Sequence, residues 1–189
     1  MKRQQQRLLL ILASGVFSIL NPEMGIIGIL PMAAEMYQGD IVQAGLLLSL
    51  FALGVAIAGP TMPLLFSRFN RKRVMLLVLG VFTLCNALAV FASDFEVLLV
   101  LRVLPAFFHP LYCALAFSVA AASVAPVDAP RAVARINMGV AAGMVVGVPI
   151  SNVLAATFDF SVAMAFFAGV TGLMFLLTMA FVPDLPVAQ

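Results

Sequence analysis

The chain has 189 residues, 64% hydrophobic and only 10% charged, with a formal net charge of +2 and a mean hydropathy of +1.17. A soluble domain carries about 25% charged and 45–50% apolar residues, so the surplus apolar surface here must face lipid. The small net charge, with no basic cluster interleaved with aromatics, argues against a nucleic-acid partner.

The first apolar run, 8–32, follows Lys2, Arg3 and Arg7 and is interrupted only by Asn21-Pro22-Glu23. It is too long for the apolar core of a signal peptide, and no A-x-A site follows it, so it reads as a membrane span. The runs 44–66, 74–93, 96–123, 133–157 and 161–182 also meet the ~20 residues that a spanning helix needs. The joints between them hold the turn formers and charges: Gln38-Gly39-Asp40, Ser67 to Arg73, Ser93-Asp94-Phe95-Glu96, Ala125 to Arg131, and Phe158-Asp159-Phe160. A barrel would need many alternating runs of about 10 residues. Long continuous apolar runs satisfy their backbone in lipid only as helices. The expected fold is an all-α membrane protein, with one six-helix transmembrane domain over residues 1–189. Membrane lipid is its first partner.

Orientation follows from the basic residues. Lys2, Arg3 and Arg7, then Arg68, Arg71, Lys72 and Arg73, then Arg131 and Arg135 fall on one set of joints. The alternate joints hold Glu35, Asp40, Asp94, Glu96 and Asp159 and neither Lys nor Arg. The positive-inside rule therefore puts both termini in the cytoplasm.

Ionisable groups within spans are costly and face a cavity or a partner. Glu23, Arg102 and His109 are the three that stand out. At 1.5 Å per residue, Glu23 lies roughly 13 Å and Arg102 roughly 9 Å from the outer surface, close enough in depth for an ion pair. His109, seven residues after Arg102, falls on the same helical face nearer the midplane. A carboxylate in poorly solvated surroundings holds its proton, and a nearby cation favours its release, so alternating exposure makes such a group a proton-coupling device. The other reading is a structural ion pair joining spans one and four, with His109 a satisfied polar residue.

Prolines inside spans free carbonyls and break the helical ladder where a helix lines a cavity or moves; Pro22, Pro31, Pro60, Pro63, Pro105, Pro110 and Pro149 are placed to do so. Span five carries Gly139, Gly143 and Gly147 at four-residue spacing, followed by Pro149, a small-residue face suited to close packing or to a gating seam. Asn137 and Asn152 on the same span are polar enough to bond across helices or to touch a solute. Asn86 in span three reads as a packing residue. Phe51, Phe107 and Phe108 read as core or lipid-facing rather than as a stacking platform. Cys85 and Cys113 lie in apolar runs and read as small apolar side chains. They form no metal-ligand spacing. A single histidine with no H-E-x-x-H or G-x-S-x-G motif argues against an enzyme, and neither a metal nor a cofactor is expected.

Four stretches together resemble the N-terminal half of the major facilitator superfamily, in the drug/proton antiporter branch that includes sugar-efflux proteins. They are Asn21 to Pro31, with Glu23 at the acidic position before a Gly-Ile-Leu-Pro segment; the basic loop from Gly59 to Arg73; Leu101-Arg102-Val103-Leu104-Pro105 to His109; and Gly139-x-x-x-Gly143-x-x-x-Gly147-Val148-Pro149. The resemblance spans about Leu8 to Pro183. It implies a multi-pass protein of a bacterial inner membrane that exports a small organic solute, such as a sugar, nucleoside or drug, against protons by alternating access. It further implies a cavity lined by spans one, two, four and five around Glu23, Arg102, His109 and Asn137. It gives Arg102 a part in proton coupling, Arg68, Arg71, Lys72 and Arg73 a gating loop, and the span-five glycines with Pro149 a hinge or seal. Ser67 stands where that loop has an acid and Asn70 where it has glycine. The family pairs two six-span halves about the solute site. The resemblance thus implies a second half, either another copy of this chain in a two-fold dimer or a separately encoded one. The competing reading is a truncated or isolated half that serves as a folding and assembly unit.

Overall fold

The joints end the helices by giving partners to the backbone groups that every helix leaves free at its ends. The structure, a computed structural model, describes residues 3–184. Helix α1 (Arg3–Met36) closes in a Schellman turn, in which the Gly39 N–H donates to Ala34 O at 2.9 Å and the Gln38 N–H to Glu35 O at 3.2 Å. That turn needs one left-handed residue, and Gln38 supplies it with φ 51°. The short α2 (Ile41–Ala44) leads through Gly45 into α3 (Leu46–Leu65). Asn70 caps α4 (Arg71–Ala89), its side chain accepting from the Arg73 N–H at 3.2 Å. Span four is divided into α5 (Phe95–Ala106) and α6 (His109–Ala122). A 3-10 turn at Pro126–Asp128 precedes α7 (Ala129–Thr157). Asp159 caps α8 (Phe160–Phe181), accepting from the Val162 N–H at 2.8 Å.

The described residues contain six helical stretches long and apolar enough to cross a membrane, and no strand. They match the six runs read from the sequence, with α1 extended at both ends and Arg131 and Arg135 drawn into the first turns of α7. The prolines behave differently from expectation. Helices α1, α3 and α7 run unbroken through Pro22, Pro31, Pro60, Pro63 and Pro149. Only span four is interrupted, at Phe107-Phe108, between Pro105 and Pro110. At the interruption Pro110 has no N–H to give to the ladder, while Phe107 and Phe108 keep right-handed helical dihedrals.

Helix α1 is the hub, packing most extensively on α7 and also on α8, α6 and α2. The apolar core comes in two pieces. One surrounds Leu9, Val16, Ile19, Met75, Phe82, Tyr112, Ile136 and Met174. The other surrounds Ile26, Ile29, Leu47, Leu98, Ala155, Met164 and Phe167. On every helix of the hub the switch from one piece to the other passes a polar residue: Asn21 on α1, Asn86 on α4, Arg102 and His109 in span four, Ser151 on α7 and Thr171 on α8. A buried polar layer thus crosses the bundle between two apolar ones.

Candidate functional site

The polar layer is centred on Asn21-Pro22-Glu23 of α1. Pro22 has no N–H, and its own carbonyl accepts a hydrogen bond from the Arg102 Nη2 at 2.7 Å. Arg102 is 4% exposed, and its Nη1 lies 3.5 Å from Asn86 Oδ1 on α4. The guanidinium is therefore clamped between two helices by neutral oxygens. Glu23, one residue on, turns to span four's second helix: Glu23 Oε2 lies 2.9 Å from His109 Nε2, with side chains 18% and 11% exposed.

This corrects the expected pairing. Arg102 does not pair with Glu23; the carboxylate takes the imidazole instead. His109, at the start of α6, presents its imidazole to the carboxylate, whereas depth arithmetic by itself allowed the arginine. Asn86 is also corrected: it is not mere packing but the acceptor that fixes Arg102 on the α4 side. Phe51 of α3, buried, lies beside both the Arg102 and the His109 side chains. Its ring meets His109 edge-on at 6.0 Å and lies 6.0 Å from the Arg102 guanidinium carbon. Cys113 Sγ approaches His109 Nε2 at 4.0 Å, from one turn further along α6.

Several atoms of this cluster have no protein hydrogen-bond partner: both amide atoms of Asn21, Asn86 Nδ2, Arg102 Nε and His109 Nδ1. A native core rarely leaves such atoms unpaired, each costing roughly 1–3 kcal/mol. They gather in the polar layer between the two apolar cores.

The second arrangement is the seam between α1 and α7. Gly139 lies against the Ala13 carbonyl, Gly143 against Leu20 and the Phe17 carbonyl, and Gly147 against Asn21. A side chain at any of them would collide with α1 backbone or with a packed side chain. Ser151 continues the line, its hydroxyl within bonding distance of both its own helix's Gly147 O (2.5 Å) and Gly25 O on α1 (3.1 Å). Asn152 packs against Gly28. The glycine face is thus a close helix contact. Asn137 and Pro149 are exposed and lie outside the buried cluster. Neither was brought to Glu23. Ser151 went unnoticed in the sequence because a serine in an apolar run carries no signal of its own.

The loop residues Arg68, Arg71, Lys72 and Arg73 gather at the end of the bundle away from Tyr37 and make no ion pair among the described residues. At that opposite end, the Tyr37 phenol donates to Ala92 O at 2.7 Å and meets Phe95 and Phe160 edge-on, tying three joints together. Burial and, less strongly, the Asp94 carboxylate push its pKa above the ordinary tyrosine value, which keeps the donor proton in place.

Comparison with known proteins places this geometry. The chain is 34% identical to the inner membrane transport protein YdhP of Escherichia coli K12 over 161 residues, 85% of this chain and 41% of that protein. It is 28% identical to a probable sugar efflux transporter of Helicobacter acinonychis, again over 85% of this chain and 41% of the relative. The chain therefore spans about two fifths of the length of the curated relatives it matches. Its fold superposes with TM-score 0.83 on a bacterial homolog of the human lysosomal transporter Spinster in an inward-facing, unoccupied conformation, at 18% identity, over 100% of this chain and 45% of that one. With six apolar helices, a half-length superposition and a match of residues 10–189 to the Major Facilitator Superfamily model, the chain belongs to the major facilitator superfamily.

Proposed function

We propose that this chain is one six-helix half of a secondary active transporter that exports a small organic solute against protons by alternating access. The observation that carries the reading is the Glu23–His109 contact at 2.9 Å, beside a buried arginine and between two apolar cores. Glu23 is the proton-exchanging group, His109 its partner in the occluded arrangement, and Arg102 the fixed positive charge that favours proton release. The unpaired atoms of Asn21, Asn86 and Arg102 are the groups that water or solute would satisfy. Asn137, exposed on α7, faces the other half or the solute. The basic loop from Arg68 to Arg73 acts at the cytoplasmic gate. Both termini lie in the cytoplasm, on the side where the basic joints collect, and the protein resides in a bacterial inner membrane, as the printed names of its Escherichia coli relatives suggest.

Spans two and five have the smallest share of buried residues in the bundle, 28% each, which leaves room for a second half to pack on them. Another copy of this chain, in a two-fold arrangement about the membrane normal, is one candidate for that half, and a separately encoded six-span chain is another. The experiment is proton-driven flux of candidate sugars, nucleosides and drugs in proteoliposomes, comparing the wild type with Glu23→Gln. Loss of pH-driven flux with the fold intact supports the assignment; undiminished flux removes it. The native mass in nanodiscs decides the partner. A dimer supports the two-copy architecture. A monomer inactive in every assay supports the second reading, an isolated half acting as a folding and assembly unit.

A further inference from the structure

The basic end of α1 carries a feature that the transport reading does not use. A groove of about 1150 Å³ runs between the first turns of α1, Ser123 at the end of α6, and the last turns of α8. Arg3 and Arg7 line its mouth. Four residues apart on one helix, their guanidiniums emerge on the same face, an arrangement that is repulsive unless an anion sits between them. Among the described residues the ion pairs are Glu23–His109 and Asp128–Arg131, so neither arginine has an acidic partner, and no acidic residue lines the groove. Both sit at the N-terminal end of α1, where the helix dipole also favours negative charge. The rest of the groove is mainly apolar, with Leu10 and Ile11 on one wall and Leu177 and Phe181 on the other. The Gln5 side-chain amide donates to Ser123 O at 2.9 Å and fixes α1 to the end of α6 at the groove.

We propose that this groove binds one anionic phospholipid, with its phosphate forked between Arg3 and Arg7 and an acyl chain lying along Ile11, Leu177 and Phe181. Charge complementarity selects the occupant. Arginine forks match phosphate oxygens two at a time, and basic pockets between membrane helices at the cytoplasmic surface hold anionic lipid headgroups. A free anion would satisfy the arginines but leave the apolar walls uncovered. The trough is also larger than the roughly 300–1,000 Å³ of an ordinary small-molecule pocket, as a long-chain amphiphile requires. The site is independent of whether the chain transports anything.

The test is native mass spectrometry of the full chain released from nanodiscs of equal phosphatidylglycerol and phosphatidylcholine with identical acyl chains. One phosphatidylglycerol should be retained in preference. Arg3→Gln with Arg7→Gln should cut that preference about 30-fold, roughly five-fold per arginine, with helix content unchanged. Lys72→Gln with Arg73→Gln removes the same charge outside the groove and should leave the preference intact; an equal loss there would mean general surface attraction and overturn the site. A phosphatidylglycerol with a photoactivatable acyl chain should label Ile11, Leu177 or Phe181, and labelling confined to other helices also overturns it. Displacement of the lipid by inorganic phosphate alone would assign the arginines to a free anion and reject the lipid.

Discussion

Helix α1 makes two kinds of interface, and they obey different physics. Against α7 it presents Ala13, Phe17, Leu20 and Asn21 to a line of glycines, so two backbones meet with little between them. Against α4 and span four it presents a proline carbonyl and a carboxylate to an arginine and a histidine. The first contact is held by shape. It leaves no room to adjust, and nothing in it titrates. The second is held by charge and hydrogen bonds among groups that keep unpaired atoms in reserve. One side of the hub helix is thus a fixed bearing and the other an adjustable one.

Substitution on the seam side should have the largest effect. Gly139→Leu places a branched side chain where the Ala13 backbone carbonyl stands, with nothing to move aside. Overpacking of this kind costs about 3 kcal/mol or more. Thermal unfolding in nanodiscs should show a large fall in midpoint at every pH. A small fall confined to one pH range would mean that the seam is not the rigid side.

Next comes Arg102→Met. It leaves the Pro22 carbonyl without its charged donor and Asn86 without a partner, at roughly 2–3 kcal/mol. Asn86→Leu should cost less, because the Pro22 bond survives. Equal losses would show that Asn86, not the carbonyl, carries the clamp.

The pairing itself can be read from double-mutant cycles. Glu23→Gln with His109→Gln should show a coupling of about 1 kcal/mol, and Glu23→Gln with Arg102→Met a smaller one. The reverse order would restore the Glu23–Arg102 pair that depth alone suggested.

Smaller effects are expected at the far end. Tyr37→Phe removes the hydrogen bond to Ala92 O and should cost about 1 kcal/mol near neutral pH. The phenol holds its proton more tightly folded than unfolded. Its contribution is therefore complete below the unfolded tyrosine value, about 10, and is lost as pH rises through the folded one. The difference between wild type and Tyr37→Phe should shrink above pH ~10; a constant difference would separate the bond from the titration. Gln38→Gly relieves a left-handed residue and should raise stability by roughly 0.5 kcal/mol. A loss there would mean that the glutamine side chain contributes more than its backbone strain costs.

The helices were legible because each depends on one local quantity. Run length against membrane thickness gives six spans, and the turn formers and charges between them mark the joints. Glu23, Arg102 and His109 were legible for the same reason, since an ionisable group in an apolar run needs no neighbour to look out of place. Their partners were not. Asn86 gave a signal, a buried amide in an apolar helix, but its meaning depends on an arginine sixteen residues away on another helix. Ser151 and Phe51 gave none.

By itself, then, the sequence determined what must be buried in lipid, how often the chain crosses, and which residues are out of place there. Hydrophobic burial and backbone satisfaction act along the chain and leave their record in composition and spacing. Only the tertiary structure decided that the prolines of spans one, two and five would leave their helices intact while span four would part at Phe107-Phe108. It also decided that Glu23 would meet His109 rather than Arg102. Which of two cations reaches a carboxylate depends on helix rotation and crossing over a few ångströms, and those are set jointly by all the helices that pack against α1.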